Sequence, residues 1–294
     1  MIVTVTEIDT FLRCRLKWDL SSHNRQSLAS ALPNEHLGLG LIIHDAMNAW
    51  RKDPTEMLVS HYNERVLHFL EEITTVYRER TDKDVTHEQL SPLLDATALG
   101  EAMCHNYQAY WKRSTPIGTK LRMSEQQYVI DIPGTPHKVE GRIDALVQDL
   151  SGNIWILDHK TYGQKKSRNV IAQTPQFMIY AWMLSRVLEK PVGVIYDGMW
   201  KRAEVPKGKD ISDLFNRLEI GYPPEQMAWV ETFLQSVVTE MASTPAIRPT
   251  RTSDGSCVWG CNFDQLCLRT IQGLNPDHEG LYKSERNSHL ITDL

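Results

Sequence analysis

The 294-residue chain contains no run of about 18 apolar residues, so no membrane-spanning helix is expected. Its first seven residues, Met1-Ile2-Val3-Thr4-Val5-Thr6-Glu7, lack the basic start and apolar core of a signal peptide, which points to the cytoplasm. It also lacks an excess of positive charge. Lys and Arg number 32 against 37 Asp and Glu, so any contact with a polyanion must come from local patches. Repeats, low-complexity tracts and long linkers are missing, and so is a phosphate-binding Gly-Lys-Ser/Thr loop. Cysteine is scarce, at five, yet Cys257, Cys261 and Cys267 crowd into one stretch. In a reducing compartment such crowding suggests a metal site more than disulfides.

What is present is ordinary globular composition, 41% hydrophobic and 23% charged. Helical periodicity predicts helices over about 6–20, 37–50, 54–78 and 91–111, the last opened by Ser91-Pro92. The pattern then changes. Strands are predicted over 122–132, 137–148 and 154–160, separated by Pro133-Gly134 and Ser151-Gly152 turns. A helix over 174–188, a strand over 191–200 and a helix over 224–241 follow. The expectation is one domain over 1–294 with an α/β core. It divides into a helical N-terminal region (1–113), a catalytic core (114–242), a cysteine-rich segment (243–270) and a tail (271–294).

The third strand ends Asp158-His159-Lys160, and alternation puts Asp158 and Lys160 on one face with His159 on the other. Pairing with the preceding strand sets Asp144 beside Asp158. Two carboxylates at strand ends suit Mg²⁺ or Mn²⁺, and an adjacent lysine can orient or deprotonate a water or offset phosphate charge. The competing reading of Asp158 and Lys160 is a surface ion pair at a strand exit. Gln176 and Tyr180, four apart, share a face of the next helix. Lys165, Lys166 and Arg168 form a basic run just after the strand, and Tyr162 and Trp200 are candidates to stack on unpaired bases.

The ordered set of Gly40 and His44, Gly141-Arg142-Ile143-Asp144, Asp158-His159-Lys160, and Gln176 with Tyr180 resembles the PD-(D/E)XK nuclease superfamily, in particular its RecB-type exonuclease branch. The likeness spans about residues 1–270 and implies a restriction-endonuclease-like core, a central mixed sheet flanked by helices. It further implies metal binding by His44, Asp144, Asp158 and the carbonyl of His159, catalysis by Lys160 with Asp144 and Asp158, and DNA contacts from Gln176 and Tyr180. The second acid is Asp158 where the family more often has Glu. Cys14 in Phe11-Leu12-Arg13-Cys14, together with the three late cysteines, is similar to the [4Fe–4S] clasp of AddB-type nuclease domains and of the CRISPR-associated adaptation exonuclease. Here three residues, not the commoner two, separate Cys257 from Cys261. A structural Zn²⁺ remains the alternative, and Cys104 reads as a buried small hydrophobe.

The function so implied is a Mg²⁺- or Mn²⁺-dependent deoxyribonuclease acting on DNA ends or single strands in recombination, repair or replication. Unwinding would fall to a helicase or recombinase partner, and the source would be phage or bacterial. Two other readings stay open: a catalytically weak nucleic-acid-binding accessory, and a phosphohydrolase using His44-Asp45.

Overall fold

The computed structural model describes residues 1–32, 35–111, 120–245, 257, 261–277 and 280–284. Strand β1 (Ile2–Thr4) leads directly into helix α1 (Val5–Arg13). The junction is a capping box, in which Thr4 Oγ1 accepts from the Glu7 N–H and Glu7 accepts from the Thr4 N–H. The helix expected over 6–20 is broken at Cys14, whose backbone is extended (φ −154°, ψ 103°). There the Cys14 sulfur caps α2 (Arg15–Ser21) by accepting from the Lys17 N–H at 3.4 Å.

Short strand β2 (Leu28–Ser30) precedes three long helices, α3 (Glu35–Lys52), α4 (Leu58–Thr81) and α5 (His87–Trp111). Helix α5 starts one turn earlier than Ser91-Pro92 suggests, because Thr86 and Gln89 cap it reciprocally. Pro92 therefore lies inside the helix. These three helices enclose one apolar cluster around Ile43, Met47, Tyr62 and Tyr107.

The sheet strands follow: β3 (Lys120–Asp131), β4 (Lys138–Gln148), β5 (Ile154–Tyr162), β6 (Gly193–Trp200) and β7 (Phe215–Ile220). Between β5 and β6 come α6 (Arg168–Ala172) and α7 (Pro175–Leu188); α8 (Pro224–Ser243) follows β7. The order is β1-β4-β5-β6-β7, with β3 paired to β4. β1·β4 and β5·β6 are parallel and the remaining pairs antiparallel, so the sheet is mixed. Helix α7 is almost wholly buried from Phe177 to Leu184 and packs with α1 and α8 over one face. Helix α9 (Asp264–Ile271) and strand β8 (Tyr282–Ser284) complete the described chain. β8 pairs antiparallel with β2, which brings the late segment back to the early one. β1, β2 and β8, each three residues long, are too short to read from sequence, and the sequence reading also lacks β7, α6 and α9.

One topological detail positions everything that follows. Along one edge of β4, β1 pairs with Lys138–Glu140 and β5 pairs with Ala145–Gln148. The ladder is interrupted between them, over residues 141–144. β5 runs on past Leu157 against β6 alone, so β4 and β5 fork.

Candidate active site

The fork holds the carboxylates. Where the β4–β5 ladder stops, the backbone N–H of His159 donates to Asp144 Oδ2 at 2.9 Å, a side-chain bond in place of a strand bond. His44, on α3, brings Nδ1 to 3.2 Å from the same oxygen. Asp158 lies across the fork, 1% exposed, with Lys160 Nζ 2.7 Å from its Oδ2. That burial removes the surface ion pair as a reading of these two residues. His159 points to the opposite face, as alternation predicts, and its Nδ1 stands 2.9 Å from Asp197 Oδ2.

Each charge in this group is perturbed. Burial works to raise the Asp144 carboxyl, but His44 and Lys160 outweigh it and hold it well below the usual range. Asp158 moves the other way: burial pushes it up, Lys160 pulls it back and the Asp144 charge adds to the rise. Burial disfavours charge on Lys160, yet Asp158 and Asp144 keep the amine above the ordinary lysine range, so it stands as an ammonium. His44 is raised because Asp144 prevails over burial. Two close carboxylates driven apart in this way mark a functional site more often than a structural one.

The donor set fits a hard divalent cation. Asp158 Oδ1 is buried and makes no hydrogen bond to any described residue. A buried carboxylate oxygen left bare is costly unless a cation completes it. His44, Asp144, Asp158 and the His159 carbonyl would hold that cation. As the chain stands, the side chains pair with one another; among the described residues no three His, Cys, Asp or Glu side chains converge on one ion position.

The cleft above this group is lined by His44, Asp144, Lys160, Gln176, Tyr180 and Arg142, with Thr4 and Thr6 from the start of α1. Gln176 donates to the Tyr180 hydroxyl at 3.2 Å. The Tyr180 ring lies over Gly141, where a Cβ would come within 2.8 Å of Cε1, so glycine is what admits the ring. Lys165 and Lys166 are exposed but do not line the cleft. Arg168 donates to the Glu219 carbonyl. Tyr162 is 8% exposed and so cannot stack on a base, and Trp200 is already covered by the Arg202 guanidinium at 4.3 Å. Burial overturns the expectation for Tyr162; Trp200 is half-buried, with the exposed Arg202 over its ring.

Several residues of this region escape a reading of the sequence. Glu125 stands across from Asp144 in the β3·β4 register, has a left-handed backbone (φ 51°) and pairs with Arg142 at 3.2 Å. Asp197, Tyr107, Arg217 and Arg51 lie behind the fork. The one signal for them is Asp197, a lone acid in the apolar run Val194-Ile195-Tyr196-Asp197.

Away from the cleft, Cys14, Cys257, Cys261 and Cys267 line one cavity with Leu16, Lys17, Leu20, Phe263 and Asp264. Cys104 is apart from them, 0% exposed within the α3–α5 cluster.

The family model of the PD-(D/E)XK nuclease superfamily matches residues 2–268. Among solved structures, a candidate exonuclease from Eubacterium rectale is similar at 8% identity, covering 85% of this chain and 91% of its own, with a TM-score of 0.43. SSO0001 is similar at 16% identity, covering 79% and 82%, with a TM-score of 0.33. No curated protein sequence matches the chain.

Proposed function

This chain belongs to the PD-(D/E)XK nuclease superfamily, and we propose that it is a Mg²⁺- or Mn²⁺-dependent DNA exonuclease acting on ends or single strands. The observation that carries this reading is the forked strand pair: His44, Asp144 and Lys160 line an open cleft, and beneath it the buried, half-unpartnered Asp158 pairs with the Lys160 ammonium. When bound there, the cation supplies Lewis acidity to the phosphoryl oxygen and lowers the pKa of water. Asp144 and Asp158 would be its anionic ligands, and His44 and the His159 carbonyl would complete the set. Lys160, held by Asp158, presents positive charge where the pentacovalent phosphate gains negative charge. Gln176 and Tyr180 fix the strand at the cleft wall, and the exposed Lys165 and Lys166, with Arg168, extend the phosphate track. Action on ends or single strands, and service in recombination, repair or replication beside a helicase or recombinase, are proposed on the resemblance to RecB-type exonucleases. Among the described residues no helix is long and apolar enough to cross a membrane, and the proposed compartment is the cytoplasm, or the host's if the source is a phage.

The four cysteines are proposed to hold a [4Fe–4S] cluster tying Cys14 to the late segment. They line one cavity, and four thiolates are a donor set for a cubane cluster or for a tetrahedral Zn²⁺. Anaerobically purified protein should be brown; colourless protein with one bound zinc would replace the cluster by zinc.

The test is an end-labelled DNA assay, single- and double-stranded, with Mg²⁺, Mn²⁺ or EDTA, and Lys160→Ala as control. Metal-dependent shortening lost in the variant supports the reading. Binding without cleavage by wild type would leave the accessory role instead. Cleavage persisting when Asp144 and Asp158 are both changed to Asn would move attention to His44-Asp45.

A further inference from the structure

The polar layer behind the fork has no role in the chemistry just described, yet it is a densely bonded group. Asp197 on β6 is 0% exposed. In the parallel β5·β6 register it pairs directly with His159. Its Oδ2 lies 2.9 Å from His159 Nδ1 and accepts from the Tyr107 hydroxyl at 2.6 Å. Its Oδ1 accepts from Arg217 Nε at 2.9 Å, and a second Arg217 nitrogen donates to the Tyr107 oxygen at 3.1 Å. Arg217 is itself clamped, its guanidinium 3.6 Å from the centre of the Trp111 ring. One carboxylate thus ties together β5, β6, β7 and α5.

His159 is the residue whose backbone does two things at the fork. Its N–H holds Asp144 Oδ2, and its carbonyl is the proposed fourth ligand. Past Leu157 no β4 ladder holds that stretch of β5, so its position on the cleft side depends on β6 and on whatever anchors the side chain. Arg51 reinforces the arrangement on β4, its Nη1 3.4 Å from the Asp144 carbonyl oxygen. We infer that Asp197, with Tyr107 and Arg217, is a positioning device that locks the His159 side chain and so aims the His159 backbone at Asp144 and at the cation. This rests on the nuclease reading above. Asp197 touches neither substrate nor cation; it acts through His159. An outer anchor of this kind typically changes metal affinity by about 10–100-fold when removed.

The experiment compares wild type, Asp197→Asn and Tyr107→Phe. Mn²⁺ affinity is read by electron paramagnetic resonance without DNA, and kcat and KM by cleavage of labelled DNA. Asp197→Asn should weaken Mn²⁺ binding by about tenfold or more, lower kcat at saturating metal, and leave KM for DNA unchanged. Tyr107→Phe, which deletes the hydroxyl that donates to Asp197 and keeps the ring, should move the same quantities less; it carries the test if Asp197→Asn does not fold. In ¹⁵N spectra the His159 imidazole should carry its proton on Nδ1 in wild type and lose that fixed tautomer in Asp197→Asn. Equal Mn²⁺ affinity and kcat in a wild type and a folded variant would overturn the positioning role and leave the nuclease reading intact. A wild type that neither binds Mn²⁺ nor cuts DNA would overturn both.

Discussion

Asp144 Oδ2 is shared by two partners distant in the chain, His44 Nδ1 at 3.2 Å and the His159 N–H at 2.9 Å. His44 is three-quarters buried on α3 and turns that nitrogen toward the carboxylate. His44→Ala should therefore cost Mn²⁺ affinity by at least the ~10-fold that outer partners cost. Asp144→Asn should abolish metal-dependent cleavage. Isothermal titration with Mn²⁺ reads the first, and the labelled-DNA assay reads the second.

Lys160→Ala should lower kcat by roughly 10²–10³, the usual loss when one preorganised charge at a transition state is removed. Binding of DNA should fall far less, because Gln176, Tyr180 and the exposed lysines remain. Single-turnover kinetics separates the two effects. A variant within about twofold of wild-type kcat would contradict the role given to Lys160.

Gly141→Ala should damage both fold and activity. The added Cβ meets the buried Tyr180 ring at 2.8 Å and Met183 Sδ at 3.2 Å. Overpacking of this kind costs about 1–3 kcal/mol, and the displaced ring carries the Gln176 bond with it. Thermal melting and the cleavage assay should both record the loss; Gly40→Ala, where no atom lies within 4 Å of the new Cβ, is the control for stability.

The Glu7–His23 pair predicts a pH window. Burial raises Glu7, but hydrogen bonds from His23 and Ser22 bring it below its ordinary value. His23 is raised by the Glu7 hydrogen bond, against burial. A depressed carboxyl stabilises the fold above its unfolded pKa and loses that contribution as pH falls. A raised histidine stabilises below its unfolded pKa and loses it as pH rises. The pair therefore contributes between about pH 4.5 and 6.5. With His23 53% exposed, the contribution should be only about 0.2–1 kcal/mol. Urea midpoints for wild type and His23→Gln should differ at about pH 5.5 and coincide near about pH 8.5.

Cys261→Ala should lower stability more than it lowers the kcat of molecules that stay folded. A clasp closing residues 14 to 257 into one loop can contribute on the order of 5 kcal/mol by analogy with a disulfide. Cys104→Ala should leave metal content unchanged. Iron and sulfide analysis beside a melting curve for each variant checks both outcomes.

The strands of the candidate site are legible in the sequence because their information is local. Asp158, His159 and Lys160 are consecutive, so alternation alone assigns their faces, and Gln176 and Tyr180 need only the helical repeat. His44 is reachable only through the ordered family pattern, since a lone histidine on an apolar helix has no local signature. Asp197 meets His159 through a parallel pairing that spans two helices, Arg217 comes from the next strand and Tyr107 from a helix 90 residues back in the chain. No local pattern encodes such a meeting. β1 escapes for a related reason: three residues carry too little periodicity, and its partner begins at Lys138. The break at Cys14 is hidden because the flanking residues keep a helical apolar pattern on both sides of it.

The pairing of β2 with β8 also sets an order of events during synthesis. Leu28, Ala29 and Ser30 find their partners at Ser284, Lys283 and Tyr282. β1 can dock once β4 has been made, but β2 must wait until Tyr282–Ser284 have been made. The fork, whose β5 arm rests on β6, is thus assembled from residues up to Trp200, well before β2 can gain its partner.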